Sequence, residues 1–142
     1  MQFKYSFTKV RWDNIPFLEV VLKNPENNES VGCRAMVDSG AFISVFHSEL
    51  AEVLGIDLGL IKSETTFQGV GDIAGSLKGK IYFVDMTVWD KTNKCNFICP
   101  VLFSDNIDRN SFSLLGRKGF FDHFDEVVFN IKSNKFYLRT NK

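Results

Sequence analysis

One acid in this sequence stands where a strand would deliver it into a turn. Val31, Cys33, Ala35 and Val37 alternate with Gly32, Arg34 and Met36 and lead directly into Asp38-Ser39-Gly40-Ala41. A period of two is the pattern of a half-buried strand, and glycine lets the chain turn tightly behind the acid. A carboxylate that activates water needs a rigid support, a neighbouring hydroxyl to fix it, and little bulk around it so that a substrate backbone can approach. Asp38, Ser39, Gly40 and Ala41 supply those residue types in that order. Alone, Asp-Ser-Gly also reads as an ordinary turn, so the weight falls on what accompanies it.

A second element lies downstream. Ser113-Leu114-Leu115-Gly116-Arg117 closes an apolar run and is followed by Phe120-Phe121-Asp122-His123-Phe124, and the glycine-containing stretch Phe67-Gln68-Gly69-Val70-Gly71 falls between the two elements. In this order the chain resembles the retropepsin-like aspartyl proteases. Their signatures are Asp-Thr/Ser-Gly-Ala after a strand, matched by Asp38 to Ala41, and hydrophobic-hydrophobic-Gly, matched by Leu114 to Gly116. The likeness extends from about Phe17 to the C-terminal hairpin.

The resemblance implies a mainly β fold: a closed, six-stranded-type acid-protease barrel with one or two short helices, active as a two-fold homodimer. It implies that Asp38 is catalytic and that Ser39, Gly40 and Ala41 support the catalytic loop. Gly69, Val70 and Gly71 would form a flap over a peptide or protein substrate, and Leu114, Leu115, Gly116 and Arg117 would support the site. Only one Asp-Ser/Thr-Gly element occurs in the chain, so the second carboxylate must come from another copy. Two like charges about 3 Å apart cannot both ionise cheaply, so the pair would share one proton. The viral members place an acid directly after the motif, where this chain has Phe42. That makes non-viral relatives the better match and leaves the partner of Arg117 open. Ser39 keeps the hydroxyl of the commoner threonine and loses its methyl. A different class of function, a catalytically silent dimerisation or peptide-binding module on the same fold, would retain the same motif.

The elements that must position these residues are legible in outline. Phe3, Tyr5 and Phe7 alternate as a strand, Phe17 to Lys23 reads as a second, and the turn formers from Pro25 to Ser30 join it to the Val31 strand as a hairpin. Leu50, Val53 and Leu54 have helical spacing over Ser48 to Leu54, with Ser48 as cap and Gly55 at the left-handed C-terminal position. Ile61 to Val88 reads as hairpins and bends. Asn96 to Phe103 reads as a strand interrupted by Pro100, and Gly116 to Phe124 as a second short helix. Val127 to Ile131 and Phe136 to Leu138 flank Lys132-Ser133-Asn134 as a terminal hairpin.

Composition narrows the function classes. A chain of 142 residues with 44% hydrophobic and 24% charged residues has room for one domain, 1–142, with one core. Because 17 Lys and Arg balance 17 Asp and Glu, no net field favours nucleic acid or an anionic membrane. The alternating N-terminus lacks the apolar block of a secretory signal, and three cysteines cannot all pair within one chain, which points to a reducing, cytoplasmic compartment. Cys95 and Cys99 with His47 and His123 invite a zinc reading. Residues four apart on a strand lie roughly 13 Å from each other, too far to share one ion, so neither a metal nor another cofactor is expected. His47 reads as a capping or hydrogen-bonded residue, and His123 as packing among Phe121 and Phe124.

Overall fold

The computed structural model describes residues 1–68, 76–107 and 112–141. Its strands in chain order are β1 (Gln2–Ser6), β2 (Thr8–Val10), β3 (Asp13–Ile15), β4 (Phe17–Lys23), β5 (Ser30–Val37) and β6 (Ser44–His47). A single-turn-and-a-half helix α1 (Ser48–Val53) follows, then β7 (Thr65–Gln68), β8 (Ser76–Trp89), β9 (Lys94–Ser104), β10 (Ser113–Leu115), β11 (Glu126–Asn130) and β12 (Lys135–Arg139).

Six of these strands close a ring, the barrel that the motif resemblance implies. β4 pairs antiparallel with β5, from Phe17 opposite Met36 to Lys23 opposite Ser30. β5 runs parallel to β10, with Val37 opposite Leu115, and β10 meets β6 at Leu114 and Val45. β6 runs parallel to β9, β9 antiparallel to β8, and β8 returns to β4, with Leu22 opposite Met86. Closure leaves the ring without an open edge. The long β8 carries this closure on its second half and pairs its first residues with β7, so that β7 and β8 form a hairpin standing off the ring.

The period-two runs explain which side faces inward. Val20 and Leu22 on β4, Ala35 and Val37 on β5, Val84, Met86 and Val88 on β8, and Cys99, Val101 and Phe103 on β9 are all buried. They alternate with exposed or half-buried neighbours, except at the end of β9, where Leu102 and Ser104 are buried as well. Burial of one such aliphatic or aromatic side chain contributes about 1.5–3 kcal/mol relative to leaving it in water.

The chain ends build a separate three-stranded sheet in the order β1, β12, β11. Phe3, Phe136 and Leu138 are fully buried beneath it. Phe124 meets Phe3 edge-on at 6.2 Å and Phe97 of the ring at 5.8 Å, which fastens the sheet to the barrel. The terminal strands thus pair within one chain.

Several elements depart from the sequence expectation. Gly116 to Phe124 is not an α-helix; only a 3-10 turn forms, at Phe121–His123. The N–H groups of Arg117 and Lys118 are bonded to Ala41 and Phe42, and Gly119 adopts φ +91°, a value that no α-helix continues through. Phe120 and Phe124 are buried as expected, on that turn instead of on a helix face. The cap of α1 is His47, whose Nδ1 accepts from Glu49 N at 3.1 Å. Ser48, expected to cap, is the first helical residue. Gly55 takes its left-handed position at φ +68°.

Pro100 does not interrupt β9, which runs unbroken from Lys94 to Ser104. The ladder to β6 begins only at Val101, so at Pro100 one side of the strand has no bond to lose. The terminal turn spans Ile131 to Asn134, with Asn134 N donating to Ile131 O. The β2–β3 hairpin was not anticipated: its turn puts Arg11 at φ +58° and leaves Trp12 90% exposed, and neither residue is a turn former.

Candidate active site

Asp38 follows the last residue of β5, and the backbone on both sides of it is tied down. Val37 N donates to Pro16 O at 3.0 Å, and Asp38 N donates to Leu115 O at 2.9 Å. Gly40 N donates to Asp38 Oδ1 at 2.9 Å, and Ala41 N donates to Asp38 O at 3.1 Å. The acid therefore sits in a turn that its own side chain closes. Asp38 is half-buried, with Ser39 and Gly40 exposed beyond it. Its Oδ2 takes no hydrogen bond among the described residues. A Cβ on residue 40 would stand 3.1 Å from Asp38 Oδ1, so glycine keeps the approach to the carboxylate open.

The second motif braces this loop from behind. Gly116 lies so close to the 41–43 backbone that a Cβ there would be 2.4 Å from Ile43 C and 2.9 Å from Ala41 O. That approach lets Arg117 N donate to Ala41 O at 3.0 Å and Lys118 N to Phe42 O at 2.7 Å. Gly116 N donates to the hydroxyl of Ser44 at 3.0 Å, and Ser44 is completely buried. Leu115 is also fully buried in the barrel core. Leu114, on the opposite face of β10, packs with Ile43, Val45 and Leu102 in a smaller cluster. The two motifs are thus one interlocked unit, built by inserting β10 between β5 and β6.

Arg117 is satisfied without an acid at position 42. Its Nη1 donates to Ser39 O at 2.7 Å, and its guanidinium lies 6.0 Å from the ring centroid of Phe42, which is 52% exposed. A guanidinium over an aromatic face at that distance gains a cation–π attraction.

Other groups were not singled out from sequence. Ser44 was hidden inside the apolar run Ile43 to Phe46, where a lone hydroxyl is the signal that some backbone group needs a partner. Phe17 and Phe112 form an edge-to-face pair at 4.7 Å, and Arg34 lies 4.1 Å over the Phe17 ring. Since Phe17 is opposite Met36, this aromatic pair flanks the strand that delivers Asp38.

Gly69, Val70 and Gly71 lie outside the described residues. The arms that lead to them pair as far as Gln68 opposite Ser76.

His123 stacks on Phe97 at 3.8 Å with an interplanar angle of 11°. Among the described residues no three His, Cys, Asp or Glu side chains converge as a metal site. Cys33, Cys95 and Cys99 are unpaired. Burial pushes the thiols of Cys33 and Cys99 up to about 12, and it raises that of Cys95 as well. Such thiols are poor nucleophiles at neutral pH. A concavity of about 610 Å³ is lined by Val21, Thr87, Trp89 and the 90–94 turn. It lies at the end of β8 away from the β7 hairpin, and none of the motif residues lines it. No described helix is long and apolar enough to cross a membrane.

This architecture is similar to that of a retropepsin-like aspartic protease from Rickettsia conorii. The TM-score is 0.66 at 18% sequence identity, over 99% of this chain and 92% of that one. A looser overlap, with a TM-score of 0.39 at 18% identity, covers 78% of this chain and 88% of an EIAV protease solved with the inhibitor HBY-793. No protein-family model matches the sequence, and no curated protein does. The fold of the chain is retropepsin-like.

Proposed function

We propose that this retropepsin-fold chain is an aspartic endopeptidase that acts as a two-fold homodimer, with Asp38 of each copy forming the catalytic pair. The observation that carries this reading is the construction of the Asp38 loop. A carboxylate is held rigidly from behind by the Gly116–Arg117 segment, one oxygen is fixed by Gly40 N, and the residues in front of it are small and exposed. A structural turn acid has no need of that second brace. Because each chain offers one such loop, a two-fold axis is what brings two together.

In the pair one proton is shared. The ionised carboxylate takes a proton from water as the water oxygen attacks the scissile carbonyl carbon, while the protonated partner donates to the carbonyl oxygen. Collapse of the gem-diol breaks the C–N bond: the newly protonated carboxyl gives its proton to the leaving nitrogen, and a hydroxyl of the diol returns its proton to the other carboxylate as the carbonyl re-forms, restoring the pair. Ser39, Gly40 and Ala41 position the acid, and Leu114 to Arg117 hold that loop. Gly69, Val70 and Gly71, which fall in sequence between β7 and β8, would close over an extended peptide, backbone to backbone. Neither a metal nor an organic cofactor enters this scheme. Three unpaired cysteines support a reducing compartment such as the cytoplasm.

The test is cleavage of a mixed peptide library by the protein and by Asp38→Asn, from acidic to neutral pH, with products identified by mass spectrometry. Cleavage by the wild type, reduced roughly 10²–10⁴-fold or more in the variant, is the expected result. No cleavage by wild-type protein at concentrations where it is dimeric would favour a silent peptide-binding or dimerisation module.

A further inference from the structure

The terminal sheet has two outer edges, and the chain treats them differently. On the β1 side the edge is covered by the turn between β8 and β9. Lys4 N donates to Asp90 Oδ2 at 2.9 Å, and Asn93 Nδ2 donates to Gln2 O at 2.8 Å. Asp90 is itself held by the N–H groups of Thr92 and Asn93. These are side chains placed to satisfy an edge that would otherwise recruit another strand.

The β11 side has no such cover. Met1 and Thr140 exchange hydrogen bonds, which sets the alternation of the antiparallel ladders. Phe136 and Leu138 of β12 bond toward β1, while Lys135, Tyr137 and Arg139 face Asn130, Val128 and Glu126 of β11. The N–H and C=O groups of Val127 and Phe129 therefore point away from β12, and among the described residues they take no partner. Beside them Phe129 is 38% and Ile131 72% exposed. Phe129 lies against Phe7 and Phe136 at 6.3 Å each, so the apolar face of the sheet runs out to this edge and stops.

We infer that the β11 edge is the dimer contact: two copies join antiparallel across a two-fold axis centred on Val128. This rests on the homodimer reading above and names its surface. A second copy is the occupant because a self-complementary edge is what a two-fold requires, and because the site built around Asp38 is incomplete without one. In this register Val127 of each copy lies opposite Phe129 of the other, and the outward groups of these two residues make four backbone hydrogen bonds. Glu126 falls opposite Asn130, so no like charges are opposed. Val128 meets its own counterpart in the close, non-bonded pairing. The result is a continuous sheet in the order β1, β12, β11, then the same strands reversed, with neither chain exchanging a strand.

Because Val128 faces itself, the register is tested by charge. Val128→Lys and Val128→Glu each leave the bonds of β11 to β12 intact but oppose like charges across the axis. Each variant alone should weaken the dimer about a hundredfold or more, read by sedimentation across a concentration series. An equimolar mixture should recover a dimer containing one copy of each. Wild-type dimer with both variants equally dimeric would overturn the β11 edge and leave the homodimer reading standing. A wild-type protein that stays monomeric at high micromolar concentration would remove both. Two monomeric variants that fail to combine, while wild type dimerises, would also overturn this register.

Discussion

Arg117 and Ser39 are 78 positions apart in sequence and are joined by a 2.7 Å hydrogen bond from the guanidinium to the backbone carbonyl. The bond fixes the exposed tip of the Asp38 loop from the side, where the chain's own turn bonds do not reach. Phe42 then lies against the guanidinium, its ring centroid 6.0 Å away. The contact is neutral on one side, so its strength does not depend on a second titrating group.

Replacement of Arg117 by Ala should affect activity far more than folding. An exposed charged hydrogen bond contributes about 1 kcal/mol, so the urea midpoint should move little. A displacement of the loop by roughly 1 Å is enough to reduce a rate about a hundredfold. Arg117→Lys keeps the charge but loses the planar group over Phe42, and it should fall between the two. Equal losses of stability and rate in Arg117→Ala would show that the residue is only structural.

Gly116→Ala should be strongly destabilising. Its Cβ would stand 2.4 Å from Ile43 C and 2.5 Å from Ile43 O, and backbone atoms cannot swing aside. The strain should cost about 1–3 kcal/mol or more in chemical denaturation. Ser44→Ala should cost about 1–3 kcal/mol by a different route, since it leaves the buried Gly116 N–H without an acceptor. Wild-type stability in Gly116→Ala would mean that the two loops are not locked as described.

Peptidase activity should be bell-shaped in pH with an optimum on the acidic side of neutral, because a pair sharing one proton is inactive both fully protonated and fully ionised. A profile that is flat through the acidic range would argue against a shared proton.

Stability should decline in alkali through the buried thiols. For Cys33 and Cys99 the folded value is about 12 and the ordinary one 9.0. Between those values the folded chain keeps its protons and the unfolded chain has released them. Stability from this source is therefore fully present below pH 9 and lost as pH rises toward 12. Each thiol contributes a slope of about 1.4 kcal/mol per pH unit at most. Denaturation midpoints at pH 8 and 10 would check it, and a Cys33→Ala, Cys99→Ala double variant should show a smaller decline.

Much of this architecture is legible in the sequence because its signals are local. The Phe17–Lys23 strand shows its period of two, the 25–29 turn its polar residues, and Gly55 its left-handed cap. The two motifs are likewise legible as residue types. What is not legible depends on residues far apart meeting. Ser113-Leu114-Leu115 is too short to announce a strand, and it becomes one because β5 and β6 flank it. Gly116 to Phe124 has a helical spacing of aromatic residues, but Gly119 at φ +91° breaks any helix that would run through it. Phe42 and Ser44 become part of the site only through contacts with Arg117 and Gly116.

The insertion of β10 between β5 and β6 has a consequence in time. A chain emerging from the ribosome as far as residue 112 possesses Asp38 and most of the barrel. It lacks the carbonyl of Leu115 that receives Asp38 N and the guanidinium that holds Ser39. Because such distant pairings form late and slowly, the acid becomes a defined group only after the chain has been made past Arg117. The proposed peptidase activity, assembled in that order, would be withheld from the nascent chain.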